Sequence, residues 1–119
     1  MAELFRKKDP RGVEVYASEE QWEHHIVFQH EDMEDNLDAV VQTVLAPDSI
    51  YESHDSAPPM DYREVYNKEV KSASYYPRHK YTKVVVSTLG GGAEVITSYP
   101  GNSETQGTVG EAVYRAPED

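Results

Sequence analysis

The sequence predicts an α+β domain in which two N-terminal helices pack on a four- to five-stranded antiparallel sheet. Three observations predict it. Tyr81 to Pro100 (YTKVVVSTLGGGAEVITSYP) reads as a β-hairpin: two runs rich in β-branched and aromatic residues flank the glycines Gly90 to Gly92. Leu37, Val40, Val41, Val44 and Leu45 fall at the spacing of one helical face. The helical signals precede the strand signals, which is the order of an α+β layer fold rather than alternating βαβ units.

The elements follow in order. Residues 1–12 are polar, with Arg6-Lys7-Lys8 and Pro10, and read as a flexible N-terminus. Residues 13–100 form the single domain, since a chain of 119 residues has room for one core. Val13 to Tyr16 alternates as a short strand. Ser18 followed by Gln21 is a capping-box pattern, and it predicts a helix from Glu19 to about Gln29 with Trp22 and Ile26 inward. Asp32 reads as the cap of the second helix, which Pro47 stops. Asp48 to Ser53 reads as a short strand with Ile50 buried, and His54 to Asp61 as a loop. Tyr62 to Val70 reads as a loop or a poorly regular strand, and Lys71 to Tyr76 as a strand ended by Pro77. The unbroken Val84-Val85-Val86 run predicts a strand covered on both faces at the centre of the sheet. Residues 101–119 read as a polar C-terminal tail, with one extra strand allowed at Gly110 to Arg115.

Composition bounds the function. There is no cysteine, so disulfides and thiolate metal sites are excluded. His24 and His25 are adjacent and diverge by about 100° on a helix, so no metal site is expected. No apolar run approaches the ~18 residues of a membrane span, and no membrane partner or cofactor is expected. The net charge is −11, which argues against a general nucleic-acid binder. The charge is uneven, however. Glu31 to Asp55 holds eight acids and no base, whereas Arg63 to Lys83 holds six bases against two acids.

Candidate chemistry begins with histidine, whose ordinary pKa lies near neutrality. His25 sits at the edge of the first helix's apolar stripe, and His30 at the boundary between the helices. Thr97 and Tyr99 alternate on one strand and present two hydroxyls to the same side.

The order of short motifs resembles the phage-type members of the barnase–EndoU–colicin–RelE-like nuclease superfamily. The resemblance is carried by Trp22-x-x-His25-Ile26, His30-Glu31, Val44-Leu45-Ala46-Pro47-Asp48-Ser49-Ile50, Tyr75-Tyr76, Val84-Val85-Val86 and Val95-Ile96-Thr97-Ser98-Tyr99. It runs from about Val15 to Tyr99. It departs from the family where Glu31-Asp32 follows His30 in place of proline, and where Ser98 replaces a small apolar residue. The resemblance implies a metal-independent ribonuclease, often a toxin, working in the cytoplasm of a host or target cell, with an immunity or antitoxin protein as a candidate partner. A base would take the proton from an RNA 2′-hydroxyl, a cation would stabilise charge at phosphorus, and an acid would protonate the leaving oxygen. By motif, His25 and His30 would serve as acid or base, and Thr97 and Tyr99 would orient the phosphate. Independently of any motif, Arg78 or Lys83 would supply the cation; Tyr75 or Tyr76 of the resemblance would stack a base. The alternative is a non-catalytic acidic phage protein that inhibits a host factor by nucleic-acid charge mimicry, which the acidic stretch favours.

Overall fold

The computed structural model describes residues 3–27, 33, 36–52, 63–70, 80–88, 92–106, 108 and 111–117, with the His25 side chain outside the description. Seven strands form one mixed sheet: β1 (Glu3–Lys8), β2 (Glu14–Ser18), β3 (Ser49–Glu52), β4 (Arg63–Glu69), β5 (Tyr81–Ser87), β6 (Ala93–Gly101) and β7 (Ala112–Arg115). Their spatial order is β1-β2-β6-β5-β4-β3-β7. All pairs are antiparallel except β2 with β6, a short parallel contact through Val15 with Ala93 and Tyr16 with Glu94. α1 (Glu19–Gln21) runs into a π-helical turn over Trp22–Ile26, and α2 (Leu37–Leu45) is the longer helix.

This corrects the expected architecture. Two N-terminal helices on a four- to five-stranded antiparallel sheet are replaced, among the described residues, by two short helical pieces on seven mixed strands. Three stretches make the difference. Glu3–Lys8, expected to be a loose terminus, is an edge strand paired with β2. Arg63–Glu69, expected to be loop or irregular strand, pairs along its whole length with β5. The extra strand allowed at Gly110 to Arg115 forms as β7 and adds to the strand count. The expected strand at Lys71 to Tyr76 and the expected cap at Asp32 lie outside the described residues.

β5 is the fourth of the seven strands, and Val84, Val85 and Val86 are all buried. Val84 and Val86 face the helices with Tyr66, Ile50 and Val95, against Ile26, Val40 and Val44. β-Branched residues suit that surface because their stiff side chains pack well on a pleat. Ser18 caps α1 by accepting the Gln21 backbone N–H at 3.1 Å. The Gln21 side chain does not return to the cap. It donates to the Ile96 carbonyl at 2.6 Å, just past the point where β2 stops covering the edge of β6.

The turn between β1 and β2 is built by Asp9-Pro10-Arg11-Gly12. Gly12 has φ +84, a left-handed conformation that favours glycine. The Asp9 carboxylate accepts the N–H groups of Arg11 and Val13 at 2.8 and 2.9 Å. The same turn clamps β4: Tyr66 donates to Asp9 Oδ2 at 2.5 Å, and Arg11 pairs with both Glu64 oxygens at 2.8 and 3.0 Å. Burial alone would push the Asp9 carboxyl up, but the bonds from Tyr66, Val13 and Arg11 outweigh it and hold the group below its usual range. Burial first, and then the neighbouring Asp9, pushes the Tyr66 hydroxyl up.

Candidate functional site

The face of the sheet turned away from the helices carries a row of polar side chains. Register defines it. Arg115 lies opposite Ser49, Ser49 opposite Asn67, Asn67 opposite Lys83, and Lys83 opposite Tyr99. Cross-strand partners share a face, so five polar side chains from five strands form one row across the sheet. The next row holds Tyr51, Val65, Val85 and Thr97.

Lys83 is the centre of this row and is 0% exposed. Its ammonium donates to the Glu104 carbonyl at 2.6 Å and stands 5.9 Å from the Tyr81 ring centroid. Burial pushes its pKa down to about 8, against the opposing pull of the Glu104 carboxylate. The turn after β6 closes over it. Gly101 permits the close approach, because a Cβ there would stand 2.9 Å from Lys83 Cε and 3.0 Å from Cγ. The turn is fastened on its far side as well. Tyr51 and Arg115 both donate to Glu104 Oε1, at 3.0 and 3.2 Å, and Arg115 donates to the Tyr51 hydroxyl at 2.6 Å.

Among the described residues, two polar atoms on this face are buried without a hydrogen-bond partner: Asn67 Oδ1 and Thr97 Oγ1. Asn67 Nδ2 donates to Ser49 Oγ at 3.3 Å and lies 3.5 Å from the Val65 carbonyl, which orients the amide with its oxygen pointing elsewhere. Each such orphan costs about 1–3 kcal/mol.

Compared with known proteins, the chain matches no family model, no curated protein and no solved structure.

The sequence-predicted residues divide accordingly. Thr97, Tyr99 and Lys83 come together on the outer face of β5 and β6. Thr97 and Tyr99 do not turn toward the layer that holds the helices, because they share the face of Val85 and Lys83, and the helices pack on Val84 and Val86. The backbone of His25 lies in the π-helical turn. His30, Tyr75, Tyr76 and Arg78 lie outside the described residues. Sequence reasoning missed Asn67, Tyr51, Glu104 and Arg115. Alternation within Arg63–Glu69 places Arg63, Val65, Asn67 and Glu69 on one face, and that period-2 pattern was the available signal for Asn67. Among the described residues no helix is long and apolar enough to cross a membrane.

Proposed function

We propose that this chain is an endoribonuclease, acting without a metal in the cytoplasm of a host or target cell, that cleaves RNA by attack of the 2′-hydroxyl on the adjacent phosphorus. The observation that carries this reading is the placement of Lys83 directly opposite Tyr99 and two residues along the ladder from Thr97 on the same face, with its amine titrating near pH 8. An amine of that pKa changes protonation close to neutrality, which suits a group that stabilises charge at phosphorus or moves a proton. Thr97 and Tyr99 orient the phosphate in this scheme, and His25 and His30 remain the acid–base candidates that the motif order supplies. The Glu104 turn has to lift for RNA to reach Lys83. Arg115 holds it by an exposed ion pair, a contact of small worth, and Tyr51 by one hydrogen bond to the same carboxylate oxygen.

The test is incubation of the protein with single-stranded RNA in EDTA, with His25→Ala and Lys83→Met beside the wild type. The expected result is fragments ending in 2′,3′-cyclic phosphate from the wild type and at least a 100-fold slower reaction from Lys83→Met. Intact RNA with the wild type sinks the proposal.

A second reading has its own support. Glu19, Glu20 and Glu23 are exposed, while Arg6, Arg11 and Arg115 are each paired with carboxylates and Lys83 is enclosed. That distribution suits an acidic phage protein that occupies the nucleic-acid site of a basic host factor. It predicts intact RNA together with salt-sensitive binding to a basic protein.

A further inference from the structure

We infer that the outer face of β4, β5 and β6 is a binding site for a nucleotide-sized ligand that carries both an oxyanion and a hydrogen-bond donor, and that Asn67 is one of its contacts. The inference deepens the ribonuclease reading and rests on it for the choice of a ribonucleotide as ligand.

The two orphaned atoms carry the argument. Asn67 is 0% exposed, and its Oδ1 can only accept. Thr97 Oγ1 can accept or donate. A fold that leaves two such atoms buried forgoes stability at both, unless a ligand satisfies them. They are not scattered. Asn67 lies opposite Lys83 on one side, and Thr97 lies on the other neighbouring strand, two residues further along. Two strand spacings across and two residues along put their backbones about 12 Å apart, with Lys83 between them. A lone phosphate does not span that distance, whereas a nucleoside phosphate does.

The chemistry of the three positions defines the ligand. The Lys83 ammonium donates, and in the closed structure the Glu104 carbonyl oxygen takes that bond. A phosphate oxygen replaces a carbonyl oxygen there with a full charge, the stronger partner. Asn67 Oδ1 requires an N–H or O–H, which a sugar hydroxyl or an exocyclic amine supplies. Entry requires the 101–106 turn to move, which breaks the Lys83 bond to the Glu104 carbonyl and, on the outer side, the bonds from Tyr51 and Arg115 to the Glu104 carboxylate.

The test uses adenosine 3′-monophosphate as the probe, titrated calorimetrically at low salt with EDTA, against wild type, Thr97→Val and Asn67→Leu. Saturable binding to the wild type is expected, with at least tenfold weaker binding to each variant. Thr97→Val should unfold at equal or higher urea concentration than the wild type, because it removes only an orphaned polar atom, whereas Asn67→Leu also deletes the donor to the buried Ser49 Oγ and should unfold at a lower one. A merely structural role would not combine retained stability with lost binding. If Asn67→Leu fails to fold, Thr97→Val carries the test alone. No saturable binding to the wild type, unchanged binding to the folded variants, or inorganic phosphate binding as tightly as the nucleotide each overturns the inference. RNA cleavage is scored separately: cleavage without nucleotide binding sinks this inference and leaves the ribonuclease reading, and binding without cleavage does the reverse.

Discussion

Replacing Lys83 with Met should make the protein more stable at pH 7 and less stable above about pH 10.5. The amine titrates near 8 in the fold against an ordinary 10.5. Between those values the unfolded chain holds a proton that the folded chain has released, so wild-type stability climbs with pH across the window. At 1.36 kcal/mol per pH unit the full climb is about 3 kcal/mol, a ceiling, because any opening of the Glu104 turn lets water relieve the ammonium. Met matches the length of the stem and carries no charge. It also loses the 2.6 Å bond to the Glu104 carbonyl, which costs about 1.5 kcal/mol while the donor is charged and about 1 when it is neutral. The difference is a gain of about 1–2 kcal/mol at pH 7 that becomes a loss of about 1 once the wild-type amine is neutral. Urea unfolding of both proteins at half-unit steps from pH 6.5 to 10.5 measures it. The other titrating groups are common to both chains and cancel in the difference. A stability difference that stays flat across the series would refute the reasoning, because it would mean that burial does not depress this amine.

Tyr66→Phe should cost about 1.5–3 kcal/mol in urea, since it removes the 2.5 Å bond to Asp9 and the acceptor that Arg11 Nη2 uses at 3.0 Å. Asp9 is held below its ordinary value, so its contribution is present above the unfolded pKa of 3.8 and is lost as pH falls through the folded one. Tyr66→Phe should therefore shift the acid unfolding midpoint upward, and an unmoved midpoint by circular dichroism would show that Tyr66 does not hold Asp9 ionised. Gly101→Ala should destabilise by about 1–3 kcal/mol, because its Cβ would meet the enclosed Lys83 stem at 2.9–3.0 Å. The same substitution in Lys83→Ala should cost markedly less, and equal costs in the two backgrounds would rule out this contact as the cause.

The hairpin of β5 and β6 was legible because its signal is local. Three adjacent valines and a glycine-rich reversal need no distant partner to be read. β4 was misread for a reason the sheet makes plain. Its outer face carries Arg63, Asn67 and Glu69 around a single Val65, and its inner face Glu64, Tyr66 and Lys68, so neither face looks like a strand buried at the middle of a sheet. Its polar groups are accommodated one at a time: Glu64 by Arg11, Lys68 by the Ala46 carbonyl at the end of α2, and Glu69 N–H by Asp48. β1 was hidden by Arg6, Lys7 and Lys8, which are the charges expected on an edge strand that must not pair further. The turn beside it did carry a signal. Asp, then Pro, then Gly at the fourth position is the pattern of a type I turn leading into a hairpin.

The site was legible only in part because a row across a sheet is a property of register. Period-2 alternation places Thr97 with Tyr99, but it does not say that Lys83 stands opposite Tyr99 or that Asn67 stands opposite Lys83. Those facts come from pairings between segments far apart in the chain. Charge counting fails at the same place. Lys83 entered the basic stretch as one cation among six, yet it lies inside the protein, where its surroundings and not the net charge of −11 set its protonation. The same geometry sets a condition on the catalytic scheme. The helical turn that carries His25 packs on the inner layer, and the Lys83 row faces outward. A histidine from that turn can join the row only around the edge of β6, beyond Glu94, where β2 no longer pairs and Gln21 already reaches Ile96. Loss of cleavage in Lys83→Met, a variant expected to be more stable at neutral pH, would therefore locate the chemistry on the outer face whatever His25→Ala does.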